Sequence, residues 1–67
     1  MKISVNGDNR EYGENAVVAD IVADLALSGK RIAIELNKEI LPFNQYATKK
    51  LQTDDCIEIV QAIGGGQ

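Results

Sequence analysis

The chain has 67 residues, room for one small domain, with no His, no Trp and a single Cys. Such a domain buries only about 60% of its unfolded-chain surface, leaving little room for an enclosed pocket. The commonest general base and the usual metal-ligand clusters are also missing, which argues against a self-sufficient enzyme. A net charge of −3 with seven scattered basic residues offers no footprint for a phosphate backbone, so no nucleic-acid partner is expected.

Ile3 and Val5 alternate with Lys2, Ser4 and Asn6, the period of a half-buried strand. Asn6-Gly7-Asp8-Asn9 tolerates positive φ and predicts a tight reversal, with Arg10 to Gly13 returning. From Glu14 to Gly29, Val18, Ile21, Val22 and Leu25 recur at helical spacing, with Asp20 and Asp24 on the wetter side. This predicts one helix of about ten residues. Asn15 is the expected N-cap, Val17 stands where Ser or Thr would cap better, and Gly29 is expected to end the helix in a left-handed conformation.

Ile32, Ile34 and Leu36 alternate with Ala33 and Glu35 as a third strand. Asn37-Lys38 suits a turn, and Glu39-Ile40-Leu41 a short strand stopped by Pro42. Phe43 to Thr48 reads as a loop with one helical turn, pinned by Phe43, Tyr46 or Leu51. Asp54-Asp55 reads as a turn before a last strand, Cys56 to Ile63, rich in β-branched residues. On that strand Ile57 and Ile59 are expected to face the helix, with Glu58, Val60 and Ala62 on the other side.

The order β-β-α-β-β-β places a crossover helix on a mixed sheet. This is an α+β fold of the β-grasp (ubiquitin-like) type, one domain over 1–63. Many functions share that fold, so it decides nothing by itself.

The informative feature is the end, Ile63-Gly64-Gly65-Gly66-Gln67, a glycine-rich tail over 64–67. Three glycines pack no core and lose the most backbone entropy on ordering. What they offer is thinness and reach: about 13 to 14 Å for the four residues after Ile63. A side-chain-free segment passes through a channel closed to other residues and delivers its carboxyl group to another protein's active site. The alternative is a flexible linker. Against it, Val60-Gln61-Ala62-Ile63 runs into the glycines with no polar spacer.

Ile3-Ser4-Val5-Asn6-Gly7, Val18-Ala19-Asp20-Ile21-Val22, the run from Ile32 to Pro42 and the run from Asp54 to Gly66, in that order and spacing, resemble the ThiS family of thiamine-biosynthesis sulfur carriers. The resemblance covers essentially the whole chain. It implies that the Gly66 carboxyl group is adenylated by a ThiF-like activating enzyme and then converted to a thiocarboxylate. The sulfur would come from a cysteine desulfurase and pass to a ThiG-like thiazole synthase, which builds the thiazole ring of thiamine. The chain itself would bind no cofactor, with ATP and magnesium belonging to the activating enzyme. Gly64 and Gly65 would thread the partner's channel. Gln67 departs from a family expected to end on glycine, and must first be removed or be foreign to the natural chain.

Other readings stay open at this point: a sulfur carrier for molybdopterin or tRNA thiolation, a ubiquitin-like protein modifier, or a binding module with a linker. Val60 and Ile63, beside the tail, are candidates for partner docking. Cys56 reads as a small packing residue or as a thiol that links to a partner. Asp20 and Asp24 read as a solvated face, and Lys30-Arg31 and Lys49-Lys50 as solvated surface. A lone Cys, no secretory signal and an apolar run that stops at Asp20 lead us to expect a cytoplasmic protein without a membrane segment.

Overall fold

The computed structural model describes residues 1–61. Strand β1 (Lys2–Val5) turns through Asn6 and Gly7 into β2 (Asp8–Glu11). Both turn residues have positive φ, 51° and 87°, the mirror-image turn whose twist matches that of the strands. Helix α1 (Val18–Asp24) crosses to β3 (Ile32–Leu36). A second turn of the same kind, at Asn37 and Lys38 with φ of 53° and 72°, leads to β4 (Glu39–Leu41). After a 3-10 turn (Phe43–Gln45) the chain returns as β5 (Cys56–Gln61). The predicted last strand reached Ile63, but Ala62 and Ile63 lie outside the described residues.

The sheet order is β2-β1-β5-β3-β4, so the strand that carries the chain's end is the central one. It runs parallel to β1 and antiparallel to β3, with Val5 opposite Ile57 and Ile34 opposite Ile59. Ile3, Ile34 and Ile57 point to the helix side and meet Val18 and Ile21, all fully buried. The expected β-grasp arrangement, alternation and helical stripe are all present. Among the described residues no helix is long and apolar enough to cross a membrane.

The ends of α1 differ from expectation. The helix has seven residues, and its N-cap is Val17, not Asn15. Val17 supplies no side-chain acceptor, yet the first turn is satisfied. The backbone N–H of Val18 donates to the Lys49 carbonyl (3.0 Å), that of Ala19 to the Tyr46 carbonyl (2.9 Å), and that of Val17 to Asp20 Oδ2 (2.8 Å). Lys50 also pairs with Val17 in an isolated bridge, so the loop does the capping.

At the other end the chain leaves the helix at Ala26, with φ of 58°, rather than at Gly29. Leu27 N–H donates to the Val22 carbonyl (2.9 Å) and Ala26 N–H to the Ala23 carbonyl (3.0 Å), the paired bonds of a left-handed helix stop. Leu27 is partly buried against the core. Gly29, φ 80°, serves the next turn, closed by Lys30 N–H to the Leu27 carbonyl (3.0 Å). A side chain in the left-handed region costs about 1–2 kcal/mol. Ala26→Gly is therefore expected to stabilise the fold by about 1 kcal/mol, part of the relief being offset by a more flexible unfolded chain. Calorimetry should read this as a rise in Tm of roughly 4–8 °C.

Phe43 does not pin the loop. It is 82% exposed, whereas Tyr46 and Leu51 are buried and hold the segment down. Phe43 rests on Tyr46 edge to face, with ring centroids 5.3 Å apart.

Candidate functional site

The chemistry expected of this chain lies at the end of β5, and the fold fixes that strand by two asparagine side chains. Each stands at the first position of a hairpin turn, where Asn tolerates positive φ. Asn37 accepts the Cys56 N–H on Oδ1 (2.9 Å), while its own backbone N–H donates to the Cys56 carbonyl (2.8 Å). Asn6 continues β1 beyond its last residue. Its backbone N–H donates to the Ile57 carbonyl (2.9 Å), and its side chain accepts the Ile59 N–H (2.7 Å) and donates to the Ile59 carbonyl (3.4 Å). The central strand is held along its length almost to the point where the chain leaves it. A segment that starts from a fixed origin searches a smaller volume than one that starts from a fraying strand.

Asp55 completes the anchor. It is the one buried charged residue among those described, 8% exposed. Its carboxylate accepts the Gln52 N–H (2.8 Å) and the Asn37 side-chain amide (3.0 Å). The sequence reading treated Asp54 and Asp55 alike as a turn. Asp54 is in the turn, with φ of 71°, and Asp55 is a structural acceptor.

The last described residue of the strand, Gln61, lies opposite Ile32 of β3. Ile57 and Ile59 face the helix as predicted, and Val60 lies opposite Ala33 on the uncovered face, 62% exposed. Val60 is thus accessible beside the tail. Ile63, Gly64, Gly65 and Gly66, the other site residues singled out from sequence, lie outside the described residues, as does Gln67. The same uncovered face carries Ile40, 66% exposed, and the directly opposed pair Glu35 and Glu58. Two like charges across adjacent strands are unfavourable for the fold itself.

Cys56 is half-buried on the uncovered face beside Ser4 of β1, with no disulfide. Asp20 and Asp24 do not act as a pair. Asp20 caps the helix start, and Asp24 accepts from Arg10 Nη1 (3.0 Å) and the Tyr12 hydroxyl (3.1 Å), tying the hairpin to the helix. Burial pushes the Tyr12 phenol above its ordinary pKa, the Asp24 carboxylate pushes the same way, and Arg10 offsets part of it. This is a fold contact with an exposed ion pair.

Sequence reading missed the surface at the chain's exit. Lys30 and Arg31 precede Ile32, and with Phe43 and Val60 they line one concavity where β5 ends. The adjacent basic pair was legible, but its position at the exit depends on β3 and β5 running antiparallel.

The ThiS family matches the chain over residues 3–66. The sulfur carrier protein ThiS of Bacillus subtilis is 32% identical over 65 residues, covering 96% of this chain and 98% of that protein. A thiazole synthase of Paramagnetospirillum magneticum is 35% identical over 66 residues, which is 98% of this chain. The chain spans about a fifth of the length of the two thiazole synthases it matches, 20% and 21%. The crystal structure of a thiamine biosynthesis protein (ThiS) from Geobacter metallireducens superposes with a TM-score of 0.81. It is 25% identical, over 98% of this chain and 100% of that one.

Proposed function

The chain belongs to the ThiS family, and from that membership we propose that it is a sulfur carrier of thiamine biosynthesis whose reacting atom is the carboxyl carbon of Gly66. It is a carrier acted on by other enzymes. A carboxylate is a poor electrophile because it is anionic and its oxygens leave badly. A ThiF-like enzyme, with ATP and magnesium, transfers AMP onto one carboxylate oxygen and releases pyrophosphate, so that this oxygen can leave with AMP. The outer sulfur of a cysteine persulfide, loaded by a cysteine desulfurase, then displaces AMP to form an acyl disulfide. A second thiol cleaves the S–S bond, which releases the thiocarboxylate and leaves a disulfide between the two thiols. The thiocarboxylate gives its sulfur to a ThiG-like thiazole synthase. All of this takes place in the cytoplasm.

The observation that carries the reading is the family match itself, which runs through Gly64 and Gly65 and stops at residue 66, one short of Gln67. That supports Gly66 as the residue whose carboxyl group reacts, once whatever follows it is removed. Residues 64–67 act as a tail apart from the domain of 1–63, Gly64 and Gly65 threading the partner's channel because they carry no Cβ. Val60 and Ile63 flank the tail and dock against the partner.

The mass of the C-terminal peptide of protein isolated from cells tests the reading. A peptide ending at Gly66, with a gain matching sulfur in place of oxygen, is expected. A ladder of adducts on lysines of other proteins would instead make the chain a modifier and overturn the assignment.

A further inference from the structure

Phe43, Lys30 and Arg31 play no part in the reading above, and all three lie at the end of the sheet from which the tail departs. Gly66 is the fifth residue after Gln61, at most about 16 to 18 Å away along fully extended chain. An enzyme that holds Gly66 in its active site therefore rests against the surface around Gln61. Reach alone requires that this surface be covered.

Its chemistry says by what. Phe43 is 82% exposed and already oriented by its edge-to-face contact with the buried Tyr46. An aromatic ring held in place before binding loses little freedom on docking, which is how interface anchors behave. On one side of it a mostly apolar groove of about 430 Å3 runs over Val22, Leu27, Ile32 and Ala47, with Ser28, Lys30 and Asn44 also on its wall. On the other side stand Val60, 62% exposed, and the cations Lys30 and Arg31. Neither cation forms an ion pair among the described residues. In a chain of net charge −3, adjacent cations at the exit stand out from an acidic background. Such a patch orients an acidic partner during encounter.

We propose that this end of the sheet is the seat of the enzyme that activates the tail, which offers an apolar socket to Phe43 and a rim of carboxylates to Lys30 and Arg31. The inference rests on the sulfur-carrier reading. Phe43 and the cation pair are positioning residues. They bring the tail to the active site and do not touch the reacting carboxyl group.

The test is ATP–pyrophosphate exchange by the cognate activating enzyme, with the carrier ending at Gly66 as substrate. Phe43→Ala is expected to raise KM at least about tenfold while kcat stays within about twofold. Its Tm should match the parent, since the ring is exposed. Lys30→Glu with Arg31→Glu is expected to raise KM and to flatten its dependence on salt. Lys49→Glu with Lys50→Glu, beside the helix start at the opposite end of the sheet, should change neither. An unchanged KM for Phe43→Ala overturns the proposal. So does a parent dimer in sedimentation that Phe43→Ala dissolves without changing KM, which would assign the surface to a second copy. No exchange with the parent carrier at all sinks the sulfur-carrier reading, and this inference with it.

Discussion

A carrier that ends at Gly66 is expected to support adenylate formation by its activating enzyme. Carriers that end at Gly64, that keep Gln67, or that bear Gly65→Val should fall by at least about a hundredfold. Each change acts on a different requirement. Loss of two residues withdraws the carboxylate by about 7 Å, and one extra residue moves it by about 3.3 Å, both far beyond the ångström tolerance of an in-line displacement. Valine at position 65 leaves the length intact but adds a β-branched side chain where the channel must be narrow enough to exclude bulk. The three variants alter no core side chain, so their Tm values should match the parent, which separates lost chemistry from lost fold. If the carrier that keeps Gln67 exchanges pyrophosphate as well as the one ending at Gly66, the reacting residue is misassigned. If the carrier ending at Gly64 does so, the tail has no chemical role.

Much of the fold was legible because its signals are local. Ile3 and Val5, Ile32 and Ile34, and Ile57 and Ile59 each alternate with outward residues, and period two has one reading on a one-sided sheet. Val18, Ile21 and Val22 mark the helix face in the same way. The helix ends were not legible, since distant groups decide them. Lys49 and Tyr46 carbonyls, nearly thirty residues on, cap a helix whose own N-cap is a valine. At the C-terminus Gly29 had the better local propensity. Stopping at Ala26 instead brings part of Leu27 onto the core. Partial burial of a leucine is worth about 1 kcal/mol, which with the two backbone bonds of the helix stop offsets the strain.

The candidate site divides along the same line. A run of three glycines after a β-branched strand is visible in the sequence, and the chemistry proposed for it starts from there. The surface proposed to receive a partner is not visible there, because it is assembled from Lys30, Arg31, Phe43 and Val60, which come from three segments of the chain. Phe43 shows the difficulty most clearly. Hydrophobicity made it one of three candidates to pin the loop, yet it stands exposed in the 3-10 turn after Pro42, and Tyr46 and Leu51 fill the core instead. An exposed aromatic of this kind appears only once the fold is known.

Adjacent aspartates should respond in opposite directions. Asp55→Ala is expected to destabilise the domain by about 3 kcal/mol, since bonds to a charged acceptor are worth roughly 1.5–3 kcal/mol each and two donors are left behind. The Gln52 N–H loses its acceptor, and so does the Asn37 amide that positions Cys56. A chain of this length has roughly 3–10 kcal/mol to lose, so Tm should drop by more than about 10 °C. Asp55→Asn keeps the shape but turns an N–H2 group toward one of the two donors, and should recover only part of the loss. Asp54→Gly should instead raise stability by about 0.5 kcal/mol, because φ at this position is 71° and the side chain makes no bond among those described. Urea titration of the three variants reads all of these. Equal effects at the two positions would mean that Asp55 is merely a turn residue and that β5 is not anchored at its start. The loss at Asp55 reaches function through the same strand, because a carrier whose central strand frays presents its glycines from a moving origin.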